Sequence, residues 1–174
     1  MSLDEFARWR EAYEAAGIAA GEAPPAELRA LVSERHVTVA STAARAVESA
    51  NLLDPKGEVT TSVLLRELEL PPPRLRGIRM PLLMWSVAIA TRWIVRSALR
   101  VPRAEPAELQ RVRDAARWLS ELAETHETVL AVTHGSLRML LAEELLASGW
   151  RREGATRGAH HWSAWCFTRK SGLP

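Results

Sequence analysis

Two joins in the sequence place reactive side chains where an extended run gives way to a helical one. In VLAVTHGSLRML, residues 129–140, an apolar run ends at His134, Gly135 allows close backbone approach, and a helical pattern follows. An imidazole at a helix N-terminus is biased towards its neutral form by the helix dipole, so it can hydrogen-bond or accept a proton near pH 7. In HVTVASTAARAVESA, residues 36–50, Ser41 closes the run and Arg45 falls in the first turn of the next helix. Free backbone N–H groups beside a guanidinium make a cradle for phosphate. Each join taken singly has a plain structural reading, and their combination is what points to chemistry.

The elements that must position these residues follow from periodicity. Phe6, Trp9 and Tyr13 share one face of a helix over residues 4–16, which Gly17 stops. A short helix is expected at 26–33, a strand at 36–41, and a helix at 43–53 capped by Ser41 or Thr42. Residues 59–65 should hold a second short strand, followed by an extended loop through three prolines. An apolar helix at 82–99 and a strongly amphipathic one at 107–126 come next. Residues 128–134 read as a strand buried on both faces, because the apolar run does not alternate. A helix at 136–148 and a last strand within HHWSAWCFTRK complete the chain. Strands alternating with helices imply an α/β sandwich around a mostly parallel sheet, whose strand carboxyl ends form the working edge.

Composition narrows the function. The 174 residues, 47% hydrophobic and 25% charged, form one ordinary domain, 1–174. A net charge of +2, from 23 basic and 21 acidic residues, implies no nucleic-acid partner. The single cysteine, Cys166, excludes an internal disulfide and fits a cytoplasmic location. The first 18 residues are charged and lack the apolar core of a signal peptide. The uncharged run from Met80 to Thr91 is about half the length that spans a bilayer, so it is expected to pack on a sheet or another subunit rather than on a membrane. His134, His160, His161 and Cys166 lack tight ligand spacing, so neither metal nor cofactor is expected.

Ser41, Arg45, Ala46, Ser49 and Ala50, followed at 129–135 by VLAVTHG, resemble the histidine phosphatase superfamily, the phosphoglycerate mutase-like family. The resemblance implies a three-layer α/β/α sandwich, mostly parallel, with an antiparallel strand near the C-terminus. It makes Arg45, Ser41 and Gly135 phosphate-binding residues and His134 a catalytic histidine that steadies the transferring phosphoryl group. Leu65, Arg66 and Glu67 match the family's Leu-x-Glu, making Glu67 the general acid, with Glu69 the less well-matched substitute. Such a site supplies preorganised positive donors around a negatively charged phosphoryl group.

The family's nucleophile is a histidine in an Arg-His-Gly motif that ends its first strand, and this sequence contains no Arg-His-Gly. The first strand is therefore expected to be missing, through truncation or degeneration. Its loss would leave two unpaired edges, to be covered by upstream residues, by each other, or by a partner copy in a homodimer. Arg35-His36 is no substitute, because it enters its strand five residues before Ser41, roughly 16 Å from the working end. The expectation is a protein of phosphomonoester-hydrolase ancestry with little or no turnover, acting on a small phosphorylated molecule or a phosphoprotein. The alternative is a non-catalytic phosphate-binding or dimeric assembly protein. Specificity would rest in residues 69–79 and 149–161, which carry Arg74, Arg76, Arg79, Arg151, Arg152 and Arg157.

Overall fold

In chain order the elements are α1 (Leu3–Ala15), α2 (Ala26–Arg29), β1 (His36–Ser41), α3 (Ala44–Leu53), β2 (Val59–Ser62), a 3-10 turn (Val63–Leu65), α4 (Leu82–Ala98), α5 (Pro106–Thr125), β3 (Thr128–Val132), α6 (Gly135–Ala147), β4 (Arg151–Ala155) and β5 (Trp165–Thr168). They are taken from a computed structural model that describes residues 1–32, 36–69, 78–99, 101–155 and 161–169. The chain divides into two compact units, one of Met1–Ala16 with Leu68–Gln110, the other of Gly17–Glu67 with Arg111–Pro174.

In the first unit, α1 begins with a capping box. The Ser2 hydroxyl accepts the Glu5 N–H at 3.2 Å while the Glu5 carboxylate accepts the Ser2 N–H at 2.6 Å. Phe6, Trp9 and Tyr13 do share a face, with successive ring centroids 5.8 and 5.3 Å apart. Phe6 also stacks on Trp85 of α4 at 5.2 Å. Trp85 is fully buried and donates its indole N–H to the Met1 carbonyl at 3.3 Å, so no buried polar atom of its ring is left unpaired.

The second unit holds the sheet. β1 is central, with β2 and β3 parallel on either side in the order β2-β1-β3, and the register sets Ser41 beside Ser62 and Ala40 beside Val132. The β-branched, nearly uninterrupted apolar character of β1 suits this position: Val39, Ala40 and Ser41 are all buried. α3 packs against all three strands through Ala46 and Ala50, small residues that let a helix approach a sheet closely. The α/β organisation expected from the sequence is therefore present, including an antiparallel strand near the C-terminus.

Several details differ. All five residues of β3 are half-buried rather than buried, because β3 pairs only with β1 among the described residues. β5 does not close on β3 among the described residues. It pairs antiparallel with β4 in a separate two-stranded sheet, with an irregularity between Arg152 and Gly154. β4 lies where a loop was expected, since its charged, glycine-containing sequence has no strand pattern and its structure comes from pairing. α2 is one turn long, shorter than expected. α3 is capped by Ala43 without a side-chain bond; the Ser41 hydroxyl instead accepts the Ala43 N–H at 3.3 Å, two residues on. The triproline segment lies outside the described residues. No described helix is long and apolar enough to cross a membrane.

Candidate functional site

The carboxyl ends of β1 and β3 and the turn after β2 bring Ser41, Arg45, Glu67 and His134 into one cluster. Ser41 is the last residue of β1 and is fully buried. Arg45 stands two residues into α3, which begins directly after the short bend that follows β1. His134 is the N-cap of α6, in extended conformation, with its side chain only 6% exposed. Adjacent parallel strands end at the same edge of a sheet, so residues 93 apart in sequence meet: His134 Nε2 lies 2.8 Å from the Ser41 hydroxyl.

Arg45 is the hub. Its terminal nitrogen donates to a Glu67 carboxylate oxygen at 3.0 Å and lies 3.3 Å from His134 Nδ1. The same Glu67 oxygen is 3.7 Å from Nδ1, beyond hydrogen-bonding range, and the other accepts the Ser136 hydroxyl at 3.3 Å. Exposure is graded across the cluster, from 6% at the His134 side chain through 14% at Arg45 to 30% at Glu67. Solvent and ligands therefore reach it from the carboxylate side.

The network assigns the histidine tautomer. A guanidinium only donates, so the Nδ1 that faces Arg45 must accept. The ring hydrogen then sits on Nε2 and is donated to Ser41. In a serine nucleophile the imidazole must instead take the hydroxyl proton. Ser41, His134 and Glu67 thus lack the working geometry of a Ser-His-acid triad, despite their residue types. They surround the Arg45 guanidinium with acceptors, Glu67 and His134 Nδ1, so an oxyanion is held here by taking the place of the Glu67 carboxylate at the guanidinium.

Glu67 is carried by a turn fixed from two sides. The Arg111 guanidinium of α5 donates to the carbonyls of Leu64 at 2.9 Å, Arg66 at 2.8 Å and Glu67 at 3.3 Å. The Thr133 hydroxyl, next to His134, donates to the Leu65 carbonyl at 2.8 Å. Arg111, Thr133 and Ser136 escaped sequence reasoning. Ser136 and Thr133 flank His134-Gly135 and were open to notice as polar neighbours of a strand-end histidine. Arg111 reads as one more polar position on an amphipathic helix, with no signal of its role.

Gly135 opens α6 next to the cluster. Among the described residues a Cβ there would meet nothing within 4 Å, so packing against them does not require glycine. Glu69 lies in the first unit, where its backbone N–H is held by the Glu108 carboxylate at 3.1 Å. His36 sits at the amino end of β1, 2.9 Å from Asp54, which also accepts the Thr38 hydroxyl at 2.7 Å. The Thr38 bond, supported by His36, holds the Asp54 carboxyl below its usual value. His161 and His126 are exposed, and Cys166 is half-buried in β5. Among the described residues no group of three His, Cys, Asp or Glu side chains could hold a metal ion.

The two arginines of β4 are engaged locally: Arg151 pairs with Glu153 at 3.5 Å, and Arg152 lies over the Trp165 ring. Arg79 pairs with Glu5 at 3.1 Å. Arg74, Arg76, Arg157 and His160 lie outside the described residues.

No family model matches the chain, and no curated protein matches it. Among solved structures, the chain is similar to the α-ribazole phosphatase from Shigella flexneri, with 21% sequence identity and a TM-score of 0.44 over 73% of this chain and 71% of that one.

Proposed function

We propose that the second unit binds the phosphoryl group of a phosphomonoester at the Ser41, Arg45, Glu67 and His134 cluster, as a histidine-phosphatase-like protein with little or no turnover of its own. The observation that carries this reading is the position of the Arg45 guanidinium, 3.0 Å from Glu67 and 3.3 Å from His134 at the carboxyl edge of a parallel sheet. A phosphoryl group entering from the exposed side would take over the Arg45 donors from Glu67, with charge-assisted hydrogen bonds. The N–H groups at the start of α6 offer further donors.

Glu67 would then sit beside the bridging oxygen of the ester, where a general acid protonates a leaving group. His134, whose Nδ1 accepts from Arg45 and whose Nε2 hydrogen goes to Ser41, would act by holding the guanidinium in place. Covalent transfer by the phosphohistidine route needs an Arg-His-Gly nucleophile, which the sequence does not contain, so this machinery is suited to holding a phosphoryl group rather than cleaving it. The ligand is a small phosphorylated molecule or a phosphoprotein, and the single cysteine fits a cytoplasmic setting.

The test is thermal unfolding with and without inorganic phosphate, alongside hydrolysis of an aryl phosphate. Phosphate should raise the unfolding midpoint of the wild type and not of Arg45→Met, with no hydrolysis above background. Absence of any phosphate effect overturns the binding site. Hydrolysis that disappears in His134→Ala overturns the non-catalytic assignment.

A further inference from the structure

Arg138 stands one turn into α6, its backbone N–H donated to the His134 carbonyl at 2.9 Å. Its guanidinium is held along one edge. Nη1 donates to the Ser163 carbonyl at 2.9 Å and to the Ser163 hydroxyl at 2.7 Å, and the guanidinium carbon lies over the Trp165 ring, 4.5 Å from its centroid. The other edge is bare: Nε is shielded from solvent with no hydrogen-bond partner, and Nη2 makes no hydrogen bond among the described residues. Burial holds the guanidinium below its ordinary pKa. A shielded donor left unpaired is rare in a folded protein and calls for an acceptor.

The surroundings of Arg138 add a second cation and no anion. Arg152 of β4 is exposed and lies over the same indole, 4.9 Å from its centroid. Two guanidinium groups thus share one ring, and among the described residues no carboxylate is bonded to either. Glu153, next to Arg152, pairs with Arg151 at 3.5 Å instead. The turn that leads into Ser163 is strained as well. Trp162 has a φ of 56°, in the left-handed region that bulky residues rarely adopt, and its indole N–H is donated to the Glu22 carboxylate at 2.9 Å. Backbone held in such a conformation clusters at ligand sites.

The Nε and Nη2 edge is one through which arginine takes an oxyanion with two parallel N–H donors. The indole decides the shape of that oxyanion. A carboxylate is planar and continues the plane of the guanidinium, whereas a tetrahedral phosphate or sulfate projects an oxygen out of that plane, towards the electron-rich face of the ring. We propose that this edge of Arg138, with Arg152 as the second cation, is a binding site for the carboxylate of a small molecule. The site lies one helical turn from His134 and stands independently of the phosphate reading of the Arg45 cluster. Nε is shielded in the free chain, so binding includes a local rearrangement, for which the strained turn before Ser163 is the natural place.

The test is titration calorimetry of the full chain with sodium succinate, matched in ionic strength with sodium chloride. It is run in Arg45→Met as well as in the wild type, so that binding at the Arg45 cluster cannot account for the heat. Saturable binding at one site is expected in Arg45→Met. Adding Arg152→Met, at an exposed position, should weaken it at least about fivefold, and adding Arg138→Lys, which keeps the charge and removes the fork, at least about tenfold. Inorganic phosphate should not displace succinate from Arg45→Met. The Arg152 variant decides the matter even if Arg138→Lys misfolds. Absence of saturable binding overturns the proposal. So does binding that is lost in Arg45→Met, binding indifferent to Arg152→Met, or displacement by an equal concentration of phosphate. Failure of the phosphate reading shows separately, as a wild type that phosphate does not stabilise.

Discussion

Removing the negative charge of Glu67 should tighten phosphate binding, the opposite of what is usual for a residue at the heart of a site. The Glu67 carboxylate lies 3.0 Å from the Arg45 nitrogen that phosphate must use, so in the free protein the guanidinium is already satisfied by an internal anion. A phosphoryl oxygen bonded to the same guanidinium would bring its charge to about 5 Å from the carboxylate, a repulsion of roughly 2–3 kcal/mol at an effective dielectric of 20–40. Glu67 is 30% exposed, so solvent screening brings the net gain down to about 1–2 kcal/mol. Glu67→Gln keeps the shape and removes the charge, and should therefore bind inorganic phosphate roughly 5- to 30-fold more tightly. The fold should lose no more than about 1 kcal/mol, as expected for a half-exposed ion pair. Titration calorimetry with inorganic phosphate at low salt and about pH 8, above the second ionisation of phosphate near 6–7, reads the change directly. Unchanged or weaker binding in Glu67→Gln would show that phosphate does not compete for Arg45, and the proposed site would fall.

Three further outcomes are expected. The depressed Asp54 carboxyl contributes stability that is present above the ordinary range of an unfolded aspartate, about 4, and is lost as pH falls through its lower folded value. Asp54→Asn should accordingly cost about 1–3 kcal/mol in urea unfolding at pH 7, with the difference from wild type shrinking below pH 4. Arg111→Met removes donors from the carbonyls of Leu64, Arg66 and Glu67; it should destabilise by about 2–3 kcal/mol and, by loosening the turn, shrink the effect of Glu67→Gln on phosphate affinity in a double-mutant cycle. Gly135→Ala should leave stability within about 0.5 kcal/mol, since its Cβ meets nothing among the described residues, while a fall in phosphate affinity would locate the ligand over the first turn of α6.

Much of the scaffold is local and was legible for that reason. β1 occupies the predicted residues 36–41, because a short β-branched run bounded by polar residues has few other ways to bury itself. α5 follows its amphipathic repeat to within one residue at each end. β4 was not legible: RREGA has neither alternation nor an apolar run, and it is a strand because β5 supplies its hydrogen bonds. The half-burial of β3 was hidden as well, since its apolar run reports what the strand can bury rather than which neighbours it has.

The sequence by itself determined that Ser41, Arg45 and His134 stand at the ends of extended segments that enter helices, since periodicity and chain direction are properties of neighbouring residues. Only the tertiary structure decided what those residues do together. Parallel pairing of β1 with β3 brings His134 to Ser41, and the Arg111 and Thr133 bonds hold the turn that places Glu67 at Arg45. The direction of the His134 hydrogen bond, set by a guanidinium 89 residues away in sequence, separates an oxyanion cradle from a serine triad built of the same residue types. Such distinctions rest on hydrogen bonds between distant segments, and no local pattern encodes them.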